Sequence, residues 1–289
     1  MNTTMIVGQL LVGLINGSFY ALLSLGMAVI FGMLHIVNFA HGALYMLGAF
    51  SAYLALHWFG INYWAALILA PLAVGLFGAV IERTMLSRLR TLDPIYGLLL
   101  TFGLTLILEG LFRYWFGSSS RPYPPPPELR GAVQIAGIYF PIYRLWIVGA
   151  SLAVCLATWY FIERTRLGAY LRASTENAPL VQVFGVNVPL LVTLTYAGAA
   201  GLAGLAGVLA APVFQVSPHM GSNLLILVFG IVVIGGMGSI RGAIVAGYAL
   251  GIVEGLTKVI YPQGSYIVIF IVMAAVLLIR PSSYAAREG

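Results

Sequence analysis

The chain has 289 residues, 61% hydrophobic and only 8% charged, with a mean hydropathy of +1.00, against about 25% charged residues in an ordinary soluble domain. This excludes a water-soluble globule, and with no polar block long enough to fold alone it weighs against an ATPase, a nuclease or a periplasmic binding protein. The net charge of +6 is not a nucleic-acid signal, because most of the fourteen Lys and Arg sit in loops between apolar runs, where they report membrane topology.

A spanning helix needs about 20 mostly apolar residues to cross about 30 Å of hydrocarbon. Nine segments approach this, near 5–33, 39–58, 64–81, 95–116, 142–162, 189–213, 224–237, 240–260 and 266–279. They predict an all-α polytopic membrane protein, a bundle of about eight to nine transmembrane helices forming a single domain over 1–289. The seventh and ninth are too short to cross untilted, which leaves room for a broken or re-entrant segment. No basic residue precedes Arg83, so the start lacks the charged region of a cleavable signal peptide and the first span is expected to be retained.

Between the first two segments, Asn38, Phe39, Ala40, His41 and Gly42 form a polar break. Such a break is tolerated in a membrane only where it lines a cavity or is buried in protein. Asn38, Phe39, His41 and Gly42 are therefore candidate translocation-path residues; the other reading is a plain turn at the inner surface with His41 capping a helix. Further on, Arg83, Arg88 and Arg90 form one basic cluster and Arg164, Arg166 and Arg172 another. Two segments separate them, so both are assigned to the cytoplasm, which places the N-terminus outside and Arg280 and Arg287 inside. The loop over 117–137 then lies outside, and Pro124, Pro125, Pro126 and Pro127 predict a stiff polyproline surface without helix.

Glu109 with Arg113 and Glu254 with Lys258 each have i,i+4 spacing, which predicts intrahelical ion pairs that reduce the cost of burial. With so few intramembrane acids, proton coupling is disfavoured. The longest inner polar stretch, 163–187, carries a short amphipathic segment interrupted by Pro179. It is expected as two short pieces facing a partner, with Arg172, Glu176 and Asn177 on a polar edge and Leu171, Val181 and Phe184 on an apolar one. Gly198, Gly201, Gly204 and Gly207, interleaved with alanines, mark a close-packing face. Near the C-terminus Gly235, Gly236, Met237, Gly238 and Ser239 read as a tight turn or a close backbone approach; Gly235, Gly236 and Gly238 join the candidate path.

No catalytic or metal constellation is present. His35, His41, His57 and His219 are scattered, Cys155 has no second thiol, and no phosphate-cradling GxxxxGK[ST] loop occurs. The chain is not expected to be an enzyme, to bind a metal or cofactor, or to hydrolyse ATP.

Three motifs carry a resemblance. The run RASTENAPLVQVFGVNV, with Arg172, Ala173, Glu176, Asn177, Gly185, Val186 and Asn187 in place, resembles the cytoplasmic coupling segment of permease subunits of the branched-chain amino-acid ABC importers. NFAHG and IGGMGSIRG are similar to that family's segment after the first span and its glycine-rich turn. The sequence departs at Ala43, where an acidic residue is common, and at Arg241, where proline is frequent. The resemblance implies a passive translocation subunit for aliphatic amino acids in a bacterial inner membrane. It implies as partners two ATPase subunits that use ATP-Mg, a second permease, identical or homologous, and an extracytoplasmic binding protein, with lipid around the bundle and no nucleic acid. Residues 172–187 would then be the ATPase contact. Related permeases carry urea or short amides, which stay open as substrates, and composition alone also allows a self-sufficient carrier or channel.

Overall fold

The computed structural model describes residues 3–34, 37–90, 92–135 and 137–279; Arg280, Arg287 and His35 lie outside this range. Helix α1 (Thr3–Leu34) is followed by α2 (Ala40–Phe59) and α3 (Tyr63–Ile81). A π-helical turn, Glu82–Leu86, carries α3 into the single turn α4 (Ser87–Leu89). Next come α5 (Pro94–Phe116), strands β1 (Ala132–Ile135) and β2 (Ile138–Pro141), and α6 (Ile142–Arg164). Two short helices, α7 (Arg166–Glu176) and α8 (Ala178–Val183), lead to α9 (Val188–Phe214), α10 (Ser222–Gly235), α11 (Ile240–Ile260) and α12 (Ser265–Ile279). Among the described residues seven helices are long and apolar enough to cross a membrane, and α10 and α12 are shorter apolar helices. This is a multi-pass membrane protein.

The loop between α5 and α6 departs from the helix-free polyproline surface expected, for Pro127–Leu129 form one 3₁₀ turn. Within it, β1 and β2 pair as an antiparallel hairpin, Ala132 opposite Pro141 and Ile135 opposite Ile138. Backbone pairing is possible there because the proline run ends before Glu128 and the next proline, Pro141, stands at the very end of β2, where its missing N–H removes no interior ladder bond. Gln215, at φ 62°, turns the chain out of α9 so that Val216 can bridge Arg121 through two backbone hydrogen bonds of 2.8 and 2.9 Å.

The core is built on small residues. Helix α11 runs antiparallel to α1, with Gly251 against Gly13 and Gly17, Ser24 Oγ donating to Ala243 O at 3.2 Å, and Gly238 against Gly32. A Cβ at Gly251 would come within 2.3 Å of Gly17 N. In lipid such approaches replace the missing hydrophobic drive with dispersion contacts between backbones. The glycine face of α9 behaves likewise: Gly201 meets Pro71, Gly204 meets Gly48 and Val74, and Gly207 meets Tyr45 and Ala49, whereas nothing lies within 4 Å of a Cβ at Gly198. Ala199, Ala200, Ala203 and Ala206 are buried.

Among the described residues two acids are fully buried. Glu254 accepts from Tyr20 Oη at 2.6 Å and Asn16 Nδ2 at 3.2 Å and pairs with Lys258, so the expected i,i+4 pair forms and is completed from α1. Glu82 accepts from Arg90 and Thr193, tying the C-terminal end of α3 to the first turns of α9. Glu109 does not pair with Arg113 among the described residues; its Oε2 lies 3.8 Å from His219 Nδ1 instead, because that edge of α5 faces the segment entering α10.

Candidate functional site

The C-terminal end of α6 leads into a handle made of α7 and α8. Thr165 starts α7 by accepting from Gly168 N at 3.3 Å, and a Cβ at Gly168 would sit 1.9 Å from Ile162 O, so the chain reverses tightly off α6. The guanidinium of Arg172 donates to that same carbonyl. Asn177 ends α7 and caps α8 by accepting from Leu180 N at 2.9 Å; Asn187 caps α9 by accepting from Leu190 N at 3.0 Å. Both satisfy orphan amides of a helix start. Pro179 stands in the first turn of α8, where its missing N–H costs nothing, which yields the two pieces expected. Gly185 has φ +81° with open space around it.

The handle has two faces. Val181 packs with Val188 and Val192, and Met33, Ala178 and Val186 lie against them, so the handle is seated on the bases of α1 and α9. Leu171 is also buried. Leu171 and Val181 therefore face their own subunit, and of the expected apolar edge only Phe184 points outward, because the docking face of each short helix claims its apolar stripe first. Val183 and Phe184 are 81% and 78% exposed and Leu180 is 53% exposed. Arg172, Ala173, Glu176, Asn177, Gly185 and Asn187 are exposed and Val186 is half-buried. The motif residues thus either shape the handle or lie on its free surface.

The polar break lies deep in the protein, not in a turn at the inner surface. His41 Nε2 is 3.0 Å from Leu23 O, eleven residues before the end of α1, or about 16 Å along its axis. His41 does not cap the helix: Asn38 Oδ1 accepts from Ala40 N at 3.0 Å, and Asn38 Nδ2 donates to Tyr196 Oη at 3.0 Å. Phe39 N donates to Thr101 Oγ1 at 3.2 Å, and Thr105 Oγ1 donates to Phe39 O at 3.0 Å. The freed backbone of a helix starting at membrane depth is paired with protein, as burial requires.

Here α2 meets α10. A Cβ at Gly221 would lie 2.0 Å from Gly42 O, so the first turns of the two helices touch inside the bundle. With 14 residues, α10 is about 21 Å long and does not cross the bilayer alone; it is the short segment anticipated. Its C-terminal end forms the glycine turn, with Gly236 at φ +94° and Gly238 at φ +82°, Gly238 on Gly32 and Gly235 on Gly242. The structure places Gly235, Gly236 and Gly238 together there, apart from Asn38, Phe39, His41 and Gly42 at the start of α2. Arg241, at the motif's departure, pairs with Glu163 and lies 5.4 Å over the Trp159 ring, clamping α11 to α6 beside the handle.

Sequence reasoning missed Thr101, Thr105, Tyr196 and the Glu109–His219 contact. Single threonines and a tyrosine inside apolar runs carry no pattern of their own, and pairing across elements leaves no local spacing to read. Among the described residues no group of three or more His, Cys, Asp or Glu could hold a metal, and Cys155 is buried.

Comparison with known proteins places these features in context. A family model described as branched-chain amino acid transport system / permease component matches residues 9–277. The high-affinity branched-chain amino acid transport system permease protein BraD of Pseudomonas aeruginosa is 30% identical over 292 residues, covering 96% of this chain and 95% of the relative. The permease protein LivH of Escherichia coli, with the same description, is 30% identical over 297 residues, at 96% and 95% coverage. A probable branched-chain amino acid transport permease protein LivH of Methanocaldococcus jannaschii is 25% identical over 295 residues, at 93% and 89% coverage. No solved structure matches the chain.

Proposed function

The chain belongs to the permease family of branched-chain amino-acid transport systems, and from that premise we propose that it is the translocation subunit of an ABC importer for aliphatic amino acids in the inner membrane. Two ATPase subunits that use ATP-Mg drive it, a second permease completes the pathway, and an extracytoplasmic binding protein delivers substrate. The chain itself carries no ATPase site.

The observation that supports this best is the handle. A soluble surface does not ordinarily present Leu180, Val183 and Phe184 together on a short segment unless another protein covers them. Arg172, Ala173, Glu176, Asn177, Gly185, Val186 and Asn187 form the ATPase contact in this reading. Closure of the ATPases pushes the handle, and its seat on Val188, Val192 and Met33 passes the push to α9 and α1 as rigid bodies. The path runs beside the start of α2 at Asn38, Phe39, His41 and Gly42, and the glycine turn at Gly235, Gly236 and Gly238 borders its inner mouth.

The test is the number of ATP molecules hydrolysed per leucine taken up by proteoliposomes holding the complete transporter. Glu176→Trp and Gly185→Leu are expected to raise that ratio at least about tenfold while the protein stays inserted. An unchanged ratio in both variants refutes the handle as the coupling element.

A further inference from the structure

One flank of helix α5 passes from apolar residues that suit lipid to ionisable ones that do not. Phe102, Leu106, Glu109 and Arg113 recur at helical spacing along one flank, Phe102 and Leu106 being 48% and 55% exposed and Arg113 exposed. Glu109 lies seven residues before Phe116, about 10 Å inward from the outer end of the helix. Its side chain is 12% exposed, and His219, facing it, is 44% exposed. Oε2 lies 3.8 Å from His219 Nδ1, too long for a hydrogen bond, and Oε1 is buried with no hydrogen-bond partner. An incompletely paired carboxylate at this depth is costly against acyl chains and marks a surface that meets water, a substrate or another protein.

The surroundings favour a substrate. His219 belongs to the segment that starts α10: its carbonyl accepts from Ser222 Oγ at 3.1 Å and Asn223 N at 3.3 Å. Two residues on, Gly221 touches Gly42. The pair therefore stands at the outer approach to the place where α2 and α10 begin. Resting on the transport reading above, we infer that Glu109, held beside His219, is a contact for the α-ammonium of the amino acid entering from the outer side. A turn of the Glu109 side chain toward the entry brings Oε1, buried and unpartnered in the structure, to the ammonium as acceptor, and the ammonium supplies the charge and donors that the carboxylate lacks.

The experiment reads charge at the site directly. In the complete transporter carrying Cys155→Ser, His219→Cys is treated with two thiol reagents of similar size: aminoethyl methanethiosulfonate, which carries a primary ammonium, and sulfonatoethyl methanethiosulfonate, which carries a sulfonate. With Glu109 present, the ammonium reagent is expected to react about tenfold faster relative to the sulfonate than it does with a free thiol in solution. Glu109→Gln should abolish that preference, and leucine turnover should slow labelling. Ser222→Cys serves as the reporter if His219→Cys does not assemble. Equal preference with and without Glu109 overturns the inference, as does labelling that leucine leaves unaffected. Absence of labelling at both reporters, with leucine uptake intact in the Cys155→Ser background, assigns the flank to a protein interface and also overturns it. Failure of the unmodified transporter to carry any aliphatic amino acid would instead sink the transport reading.

Discussion

The interface of α1 and α11 and the handle of α7 and α8 use the same residue types to opposite ends. In the interface, glycines remove Cβ atoms that would collide with backbone, and Glu254 is met by Tyr20, Asn16 and Lys258. In the handle, Gly185 has open space and positive φ, the asparagines Asn177 and Asn187 cap helix starts, and the largest apolar side chains stay uncovered. The first region is complete within one chain. The second leaves apolar side chains uncovered, and on the function proposed above another protein covers them.

The largest effect that would break this contrast is expected at Glu254. Replacing it with alanine removes one acceptor from Tyr20, Asn16 and Lys258 together, and should cost about 3–5 kcal/mol in thermal unfolding of the detergent-solubilised protein; a loss below about 1 kcal/mol would mean the cluster is not an internal tie. A smaller loss is expected at the α2–α9 crossing. A Cβ at Gly48 would lie 2.1 Å from Gly204 O, so Gly48→Val should cost about 1–3 kcal/mol by overpacking, read in the same way. An unchanged midpoint would show that the two helices separate easily.

Much of this organisation was legible in the chain. Apolar length set the spans to within about two residues at most ends, because crossing hydrocarbon is a demand on every residue of a segment. The seventh segment was marked as short by the same arithmetic, and α10 is that helix. The break at Pro179 and the packing role of Gly201, Gly204 and Gly207 also follow from local rules. What sequence did not reveal depends on distant partners. The depth of Asn38 and His41 is set by Tyr196, Leu23, Thr101 and Thr105, which are scattered over three other helices. Leu171 and Val181 have the same composition signal as Phe184, and only the seat on α9 distinguishes inward from outward. Glu109 followed His219 rather than Arg113 because the neighbouring segment, invisible to helical spacing, stands closer. Gly198 shows the converse, a member of the glycine stripe with no described residue within 4 Å of where its Cβ would be.

The free face of the handle should be nearly irrelevant to the stability of the isolated subunit and decisive in the complex, and one measurement tests this most directly. With Cys155 replaced by serine, Phe184→Cys should unfold within about 0.5 kcal/mol of its parent, and its labelling by a membrane-impermeant maleimide is then followed in vesicles of each orientation. The account predicts labelling only from the cytoplasmic side, and suppression of that labelling when the ATPase subunits are bound. Labelling from the exterior, or at a rate that the ATPases leave unchanged, would contradict it.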